Sequence, residues 1–138
     1  MEKARYVLYV DDDPDDREIF GYALAKCSAD ISLTTAEDGY DALEKLTSLQ
    51  QPCCIYLDIN MPKMNGIQLL KILKSHRDFE LIPVIIFSTS VDSRSKREAM
   101  DLGAVDVYRK PTSVQGLLEF LNASISTHAG RDARQASQ

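Results

Sequence analysis

Charged side chains directly follow three short apolar runs of the sequence, where an uncharged turn would be enough to end a strand. Asp11 and Asp12 follow the first run, Asp58 follows the third and Lys110 follows the fifth. In an open parallel α/β sheet the carboxyl ends of the strands line one crevice, so these groups share one site despite their separation in sequence. Clustered carboxylates need a positive counter-charge, and Mg²⁺ supplies one while leaving positions free for a phosphoryl oxygen. The spacing therefore predicts a Mg²⁺-assisted phosphate site.

Two alternating periodicities predict the elements that position these groups. Short runs rich in β-branched residues are typical of buried parallel strands, and the longer segments between them show the apolar spacing of helices. Strands are predicted at residues 6–10, 31–35, 53–57, 83–87 and 105–109, and helices from about residue 14 and over about 40–48, 66–76, 93–102 and 113–126. The pattern predicts an α/β fold, a doubly wound, five-stranded parallel sheet with five helices.

Three of the predicted helices have distinctive ends or faces. Pro14 suits the first turn of a helix, and we interpret Asp13, Asp15 and Asp16 as N-cap and helix-dipole residues. The fourth helix is largely charged and weakly anchored, with Gly103 placed to end it, which favours a segment that can move. The fifth has more apolar residues than one buried stripe needs, so we expect its surplus to serve a partner, and a homodimer through this helix is one hypothesis.

Five motifs, in order along the chain, resemble those of the receiver domains of two-component response regulators. They are Val10-Asp11-Asp12, the segment 57–66 around Asp58, the run 83–88 that ends in Ser88, Leu102-Gly103-Ala104 and Arg109-Lys110-Pro111. Each motif is weak alone, but the set is highly specific, and the resemblance runs from about Tyr6 to about Leu121. It implies a flavodoxin-like, CheY-like fold with strand order 2-1-3-4-5.

The resemblance implies that Asp58 accepts a phosphoryl group from a phosphohistidine on a histidine kinase or a histidine phosphotransfer protein. Asp12, Asp58 and the backbone carbonyl of Asn60 would hold Mg²⁺, or Mn²⁺ as a substitute, and Asp11 would reach the ion mainly through water. In phosphoryl transfer a protein chiefly positions the reactants and stabilises charge on the phosphoryl oxygens. The ammonium of Lys110 would share that work with the metal ion.

A hydroxyl at the end of the fourth strand is the predicted switch. Ser88 would donate a hydrogen bond to a phosphoryl oxygen and move inward, repositioning the segment 89–96 and the helix behind it, and Thr89 is the alternative hydroxyl. The family usually places Tyr or Phe three residues before the lysine, but this chain has Val107 there and Tyr108 one position late. Because strand side chains alternate between faces, Tyr108 is not expected to replace it.

Three further positions around the lysine and the acceptor have roles that the resemblance implies. Pro111 would follow a cis peptide bond that aims Lys110 inward. Asn60 and Ser90 stand two residues beyond the acceptor and the switch hydroxyl, and residues at such positions tune the lifetime of the acyl phosphate. Small polar side chains there set no definite lifetime.

Length and charge restrict the function classes. The 138 residues suffice for one domain, and we predict a receiver domain at 1–128 and a disordered tail at 129–138. A net charge of −5 argues against direct nucleic-acid binding. The apolar runs are too short to span a bilayer or to serve as a signal peptide, so we expect a cytoplasmic protein with no membrane partner. The three cysteines lack metal-ligand spacing and are interpreted as structural.

Other functions of such a fold suit the sequence less well. A phosphohydrolase with an aspartate nucleophile would commonly need a second carboxylate two residues on, where this chain has Asn60. A nucleotide or flavin binder would need a phosphate-cradling glycine loop, and the six glycines never cluster. An interaction module that works without phosphorylation is the remaining alternative, although such a module would be free to lose the acids or the lysine.

We therefore expect a stand-alone signalling switch and not an enzyme, since it would catalyse only its own phosphotransfer and dephosphorylation. No DNA-binding output domain is expected. The output would be a change at the surface formed by the fourth helix, the fifth strand and the fifth helix, read by an unknown downstream protein. A relay step onward to a histidine phosphotransfer protein and a phosphate sink that competes for a kinase are the other outputs.

Overall fold

The computed structural model describes residues 5–129, which form a five-stranded parallel sheet with helices on both faces. The strands are β1 (Arg5–Val10), β2 (Ile31–Ala36), β3 (Ile55–Leu57), β4 (Val84–Ser88) and β5 (Asp106–Arg109). The helices are α1 (Pro14–Cys27), α2 (Gly39–Ser48), α3 (Gly66–Ser75), α4 (Ser93–Leu102) and α5 (Val114–Ser124), and one π-helical turn (Ile125–Ala129) extends α5. The strand order β2-β1-β3-β4-β5 confirms the predicted fold class.

The helix and strand boundaries lie within two residues of the predicted ones, and α5 ends at Ser124 instead of 126. The other two-residue difference is at β3. We predicted its start at Cys53, whereas the strand begins at Ile55. The preceding residues are already tied to β1, since the N–H of Cys53 donates to the carbonyl of Tyr6 at 2.8 Å. At the other end of the chain, the predicted tail 129–138 is corrected at Ala129, which belongs to the helical turn, and 130–138 lie outside the described residues.

Alternation along the strands divides the core into two layers. In β1, Leu8 and Val10 pack with residues of α2, α3 and α4, whereas Val7 and Tyr9 pack with residues of α1 and α5. All four side chains are at most 1% exposed. Both faces of the central strands are therefore covered, as a parallel sheet requires.

Aromatic rings dominate the layer beneath α1 and α5, and we call this set the aromatic layer: Tyr9, Phe20, Tyr56, Phe87 and Phe120. The ring of Phe20 stacks on Tyr9 with centroids 4.1 Å apart, and Phe87 stacks on Phe120 at 4.7 Å. Each large ring removes much apolar surface from water, so this layer supplies a large part of the burial that stabilises the fold.

The two helices singled out by sequence differ in how firmly they are held. Ala99 is the buried residue of α4, and Gly103 ends that helix in the left-handed region with φ 109°, both as predicted. In α5, the surplus apolar side chains of Leu118 and Phe120 pack partly against the core, and Val114 is the large apolar residue left exposed. The surplus available to a partner on α5 is therefore smaller than the sequence indicates.

Two expectations from composition bear on the fold. Among the described residues no cysteine forms a disulfide, and two of them, Cys53 and Cys54, are buried in the core, which agrees with a structural role. Within residues 5–129, none of the helices has the length and apolar character needed to cross a membrane.

Candidate functional site

Backbone hydrogen bonds beyond the strand ends fix the predicted site residues at the carboxyl edge of the sheet. The N–H of Asp11 donates to β2 and that of Asp58 donates to β1, each at 3.0 Å. The N–H of Lys110 donates to the carbonyl of Ser88 at 2.9 Å, which ties the end of β5 to the end of β4. The sheet thus brings together groups that are 99 positions apart in sequence.

The loop after Asp58 is held against the start of α3, where a side chain would not fit. The N–H of Gly66 donates to the carbonyl of Ile59 at 2.9 Å, and a Cβ on Gly66 would lie only 2.3 Å from the carbonyl oxygen of Asp58. Asn65 and Gln68 form a reciprocal capping box that starts α3 at this point. Glycine at 66 therefore allows the close approach that positions the acceptor loop.

The predicted acidic cluster forms at this edge. Asp11, Asp12 and Asp58 each offer a carboxylate oxygen, and these oxygens lie within 4.8 Å of one another. Asp11 and Asp58 are buried, whereas Asp12 is exposed. An all-oxygen donor set with one side open to solvent suits a hard divalent cation that keeps several waters, so the residues present fit Mg²⁺.

Lys110 lies against the acids, as predicted, and also contacts a residue that the sequence did not single out. Its Nζ is 2.5 Å from Asp11 Oδ2, 2.8 Å from Asp16 Oδ2 and 3.2 Å from Asp58 Oδ2. We interpreted Asp16 as a helix-dipole residue of α1, and the structure adds this ion pair. The sequence did not predict this ion pair, because the helix dipole alone is enough to explain an acidic residue in the first turn of a helix.

Burial and charge act against one another on the two central groups. Burial is the largest influence on Asp58 and raises the pKa of its carboxyl, although the Ser88 hydroxyl and the Lys110 charge oppose it. Burial lowers the pKa of Lys110. The hydrogen bonds to Asp11 and Asp16 and the nearby Asp58 charge raise that pKa by more than burial lowers it, so the net shift is upward. Lys110 therefore stays an ammonium at neutral pH.

The predicted switch hydroxyl contacts the predicted acceptor. Ser88 Oγ donates to Asp58 Oδ1 at 2.6 Å, and the N–H of Asn60 donates to the same oxygen at 3.0 Å. The side chain of Asn60 donates to Ser88 Oγ at 3.1 Å and to the carbonyl of Ser90 at 3.3 Å. Of the two candidate hydroxyls, Ser88 is the one in contact, whereas Thr89 is exposed. The bond between Asn60 and Ser88 was not predicted.

A buried tyrosine also enters the site without having been predicted. The hydroxyl of Tyr9 donates to Asp11 Oδ2 at 2.5 Å. Burial is the main cause that raises the pKa of Tyr9, and this hydrogen bond is the second. Asp11 Oδ1 accepts from the N–H of Asp13 at 3.0 Å, so both carboxylate oxygens of Asp11 are occupied. Sequence held a usable signal, because Tyr9 in β1 and Asp11 just after its end are two positions apart, and residues at that interval in an extended chain lie on the same face.

The prediction of a cis bond before Pro111 is wrong. Among the described residues the structure has no cis peptide bond, so Lys110–Pro111 is trans. The trans form is the lower in energy for most X-Pro bonds. The ammonium of Lys110 reaches three carboxylates from this backbone, so its inward aim does not require the cis form.

Strand β5 confirms that Tyr108 does not substitute for the aromatic residue that the family usually has at 107. Val107 is paired with Ile86 and packs against the layer beneath α2, α3 and α4. Tyr108 lies on the opposite face, with its ring 4.8 Å from that of Phe120 in α5, and is 40% exposed. An aromatic side chain at this strand therefore contacts α5.

Comparison with known proteins decides the family. Residues 7–122 match the response regulator receiver domain. The chain belongs to this family. Protein PilG of Pseudomonas aeruginosa is 31% identical over 127 residues, which are 92% of this chain and 92% of PilG. A chemotaxis protein CheY homolog of Campylobacter jejuni is 30% identical over 129 residues, covering 94% of this chain and 98% of the homolog.

A larger relative and a solved structure extend the comparison. The protein-glutamate methylesterase/protein-glutamine glutaminase 2 of Vibrio vulnificus is 36% identical over 115 residues, but the chain spans only 32% of that protein's length. The crystal structure of the response regulator domain of Thermotoga maritima CheB superposes with a TM-score of 0.78 at 28% identity, covering 94% of this chain and 99% of that domain. This receiver domain is thus similar both to free-standing proteins and to a part of larger ones.

Proposed function

We propose that this receiver domain works as a phosphorylation-dependent switch and that Asp58 is the residue that accepts the phosphoryl group. One observation carries the assignment. The buried carboxylate of Asp58 lies in contact with both a hydroxyl donor and an ammonium, from Ser88 at 2.6 Å and Lys110 at 3.2 Å, and within reach of a carboxylate cluster that suits a metal ion. Asp11 also contacts a hydroxyl and the ammonium, from Tyr9 and Lys110, and the resemblance of the segment 57–66 to the receiver motif favours Asp58 as the acceptor.

The reaction would transfer a phosphoryl group between two nucleophiles. A carboxylate oxygen of Asp58 attacks phosphorus of a phosphohistidine, the P–N bond breaks, and the imidazole takes up a proton from solvent as it leaves. The product is an acyl phosphate. Lys110 and Ser88 stand where an ammonium and a hydroxyl stabilise negative charge on the transferred phosphoryl oxygens.

Asp12, Asp58 and the backbone carbonyl of Asn60 are the residues that would hold Mg²⁺, with Mn²⁺ as a substitute. When bound, the ion would neutralise charge on the phosphoryl oxygens. The occupied oxygens of Asp11, which accept from Tyr9, Asp13 and Lys110, support the proposal that Asp11 reaches the ion mainly through water.

The conformational response would start at Ser88. Ser88 holds Asp58 on one side and accepts from Asn60 on the other, so a phosphoryl group on Asp58 would break the existing set of hydrogen bonds. The weak anchoring of α4, in which Ala99 is the buried residue, supports movement of that helix. A change at the surface of α4, β5 and α5 would then be read by a downstream protein.

Partners and setting follow from this chemistry. A histidine kinase or a histidine phosphotransfer protein would supply the phosphoryl group, and we propose no nucleic-acid partner and no enzymatic activity beyond the domain's own phosphotransfer and dephosphorylation. The location would be cytoplasmic, where ATP is available to a kinase. Asn60 and Ser90 would tune the acyl phosphate lifetime. The homodimer through α5 stays a prediction, with fewer exposed apolar residues to support it.

Intact mass spectrometry after incubation with acetyl phosphate tests the proposal. Wild type should gain one phosphoryl group per chain in the presence of Mg²⁺ and none after chelation, and Asp58→Asn should gain none. Asp101→Asn is the matched control, since it makes the same change at an exposed aspartate of α4 and should be modified like wild type. Failure of wild type to gain mass, with intact folding, would favour the interaction module that works without phosphorylation.

A further inference from the structure

The ammonium of Lys110 is divided among three carboxylates. A lysine ammonium has three N–H donors, and the three contacts to Asp11, Asp16 and Asp58 use them all. The contact to Asp58 is the longest of the three, at 3.2 Å, whereas the contact to Asp16 is 2.8 Å. The lysine is thus bound more closely to α1 than to the residue that carries the proposed function.

Asp16 stands apart from the acids that would hold a metal ion. Within residues 5–129, the carboxylate cluster comprises Asp11, Asp12 and Asp58 and does not include Asp16. The side chain of Asp16 is 34% exposed, while that of Lys110 is 11% exposed. Asp16 lies in the first turn of α1, so its carboxylate approaches the lysine from the helix and not from the strand ends.

We propose that Asp16 is a positioning residue that holds Lys110 toward α1 and competes with the phosphoryl group on Asp58 for its ammonium. This inference rests on the proposed function. A phosphoryl group on Asp58 places new anionic oxygens beside the lysine, and the lysine must redirect an N–H donor to pair with them. The ion pair with Asp16 opposes that movement. Asp16 therefore disfavours the phosphorylated state and weakens the pairing of its phosphoryl oxygens with Lys110.

The first turn of α1 provides a matched pair of substitutions. Asp16→Asn and Asp15→Asn each remove one negative charge from the positive end of the same helix dipole. The side chain of Asp15 is exposed, and its carboxylate makes no hydrogen bond or ion pair with the described residues. The two variants therefore differ in the contact with Lys110 and not in charge.

Beryllofluoride affinity at saturating Mg²⁺, measured by ¹⁹F NMR titration, reports directly on the pairing of Lys110 with a phosphoryl-like anion. Asp16→Asn should bind beryllofluoride about two- to fivefold more tightly than wild type, the effect of losing one partly exposed ion pair. Asp15→Asn should bind like wild type, and Asp16→Glu should restore most of the wild-type affinity. In a Lys110→Gln background, Asp16→Asn should lose most of its effect.

The outcomes separate this inference from the function on which it rests. Unchanged or weaker binding in Asp16→Asn, an equal gain in Asp15→Asn, or a gain that persists undiminished without Lys110 would overturn the role of Asp16 while leaving the acceptor site intact. No beryllofluoride binding in wild type would overturn both. Thermal melts establish folding of each variant, and Asp16→Ser provides a second removal of the carboxylate with the same expected gain.

Discussion

The carboxyl edge of the sheet and the aromatic layer use the same strands but bury opposite kinds of side chain. Tyr9 of the layer and Asp11 of the edge are two positions apart in sequence, and so are Tyr56 and Asp58. Rings in the layer contact rings, at centroid distances from 4.1 to 6.3 Å. At the edge, buried carboxylates contact an ammonium and hydroxyls instead.

The comparison shows that the aromatic layer supplies stability, whereas the carboxyl edge holds the reactive groups. Burial of rings stabilises the protein, whereas burial raises the pKa of the Asp58 carboxyl and so makes its charge unfavourable at neutral pH. The fold tolerates these buried charges because the packed layers on both faces of the sheet fix the strands whose ends form the edge. Substitutions in the layer should therefore change stability alone, except at Tyr9, whose hydroxyl contacts Asp11. Substitutions at the edge should change anion binding, in some cases with a gain in stability.

The largest effect is expected from a truncation in the core cluster that contains the aromatic layer. Leu121 of α5 is fully buried, and Leu121→Ala should lower the free energy of unfolding by about 2–5 kcal/mol. Guanidinium denaturation measures this loss. The folded variant should still accept one phosphoryl group from acetyl phosphate, and a folded variant that cannot be modified would break the separation of layer and edge.

A second effect should appear where the backbone of the edge meets α3. Gly66→Ala would force its Cβ onto the Asp58 carbonyl, so we expect a loss of about 1–3 kcal/mol in the free energy of unfolding together with slower phosphorylation. Gly21→Ala is the control, because a Cβ at Gly21 of α1 meets only the end of the Leu33 side chain at 3.3 Å. That control should be neutral or stabilising, since alanine favours a helix interior. Equal behaviour of the two variants would be evidence against the close approach at Gly66.

The two tyrosines of the aromatic layer offer the closest comparison, since one of them also contacts the edge. Tyr56 is hydrogen-bonded to Ser124 at 2.6 Å, and Tyr9 donates to Asp11 at 2.5 Å. Tyr56→Phe and Tyr9→Phe should each cost about 1 kcal/mol of stability. Only Tyr9→Phe should also change the Mg²⁺ affinity and the rate of phosphorylation, because only that hydroxyl holds a site carboxylate. Identical Mg²⁺ titrations for the two variants would show that the Tyr9 contact has no effect on the site.

The smallest effect concerns pH and the charge of Asp58. The pKa of the Asp58 carboxyl is higher in the folded state than in the unfolded chain, where it keeps its ordinary value of 3.8. The contribution of this group to stability is therefore full below pH 3.8 and falls as the pH rises through the folded pKa. Without metal ions, Asp58→Asn should therefore have a higher melting temperature than wild type near neutral pH, and the difference should vanish below the ordinary pKa. Added Mg²⁺ should raise the melting temperature of wild type more than that of the variant. A lower melting temperature for metal-free Asp58→Asn at neutral pH would contradict the unfavourable charge.

The sequence was sufficient to predict the elements that have a regular apolar period and the site residues that directly follow a strand. The strands and helices are periodic, and Asp11, Asp58 and Lys110 are found because each directly follows a strand. Asn60 and Asp16 show the limit. Asp16 was interpreted as a helix-dipole residue, and Asn60 as a metal ligand through its carbonyl and a residue that tunes the acyl phosphate lifetime. Their side-chain bonds to Lys110 and Ser88 depend on how separate elements pack. The cis bond before Pro111 was carried over from the family and is absent here.

Locating the acyl phosphate in the chain is the decisive test of Asp58 as the acceptor. After phosphorylation with acetyl phosphate and Mg²⁺, borohydride reduces an acyl phosphate to an alcohol, and tryptic peptides are then weighed. The tryptic peptide 46–63 has Asp58 as its single acidic residue, whereas Asp11 and Asp12 fall in the separate peptide 6–17. We predict reduction in peptide 46–63 alone. Reduction in peptide 6–17, with 46–63 unchanged, would show that the acceptor is another carboxylate and would contradict this prediction.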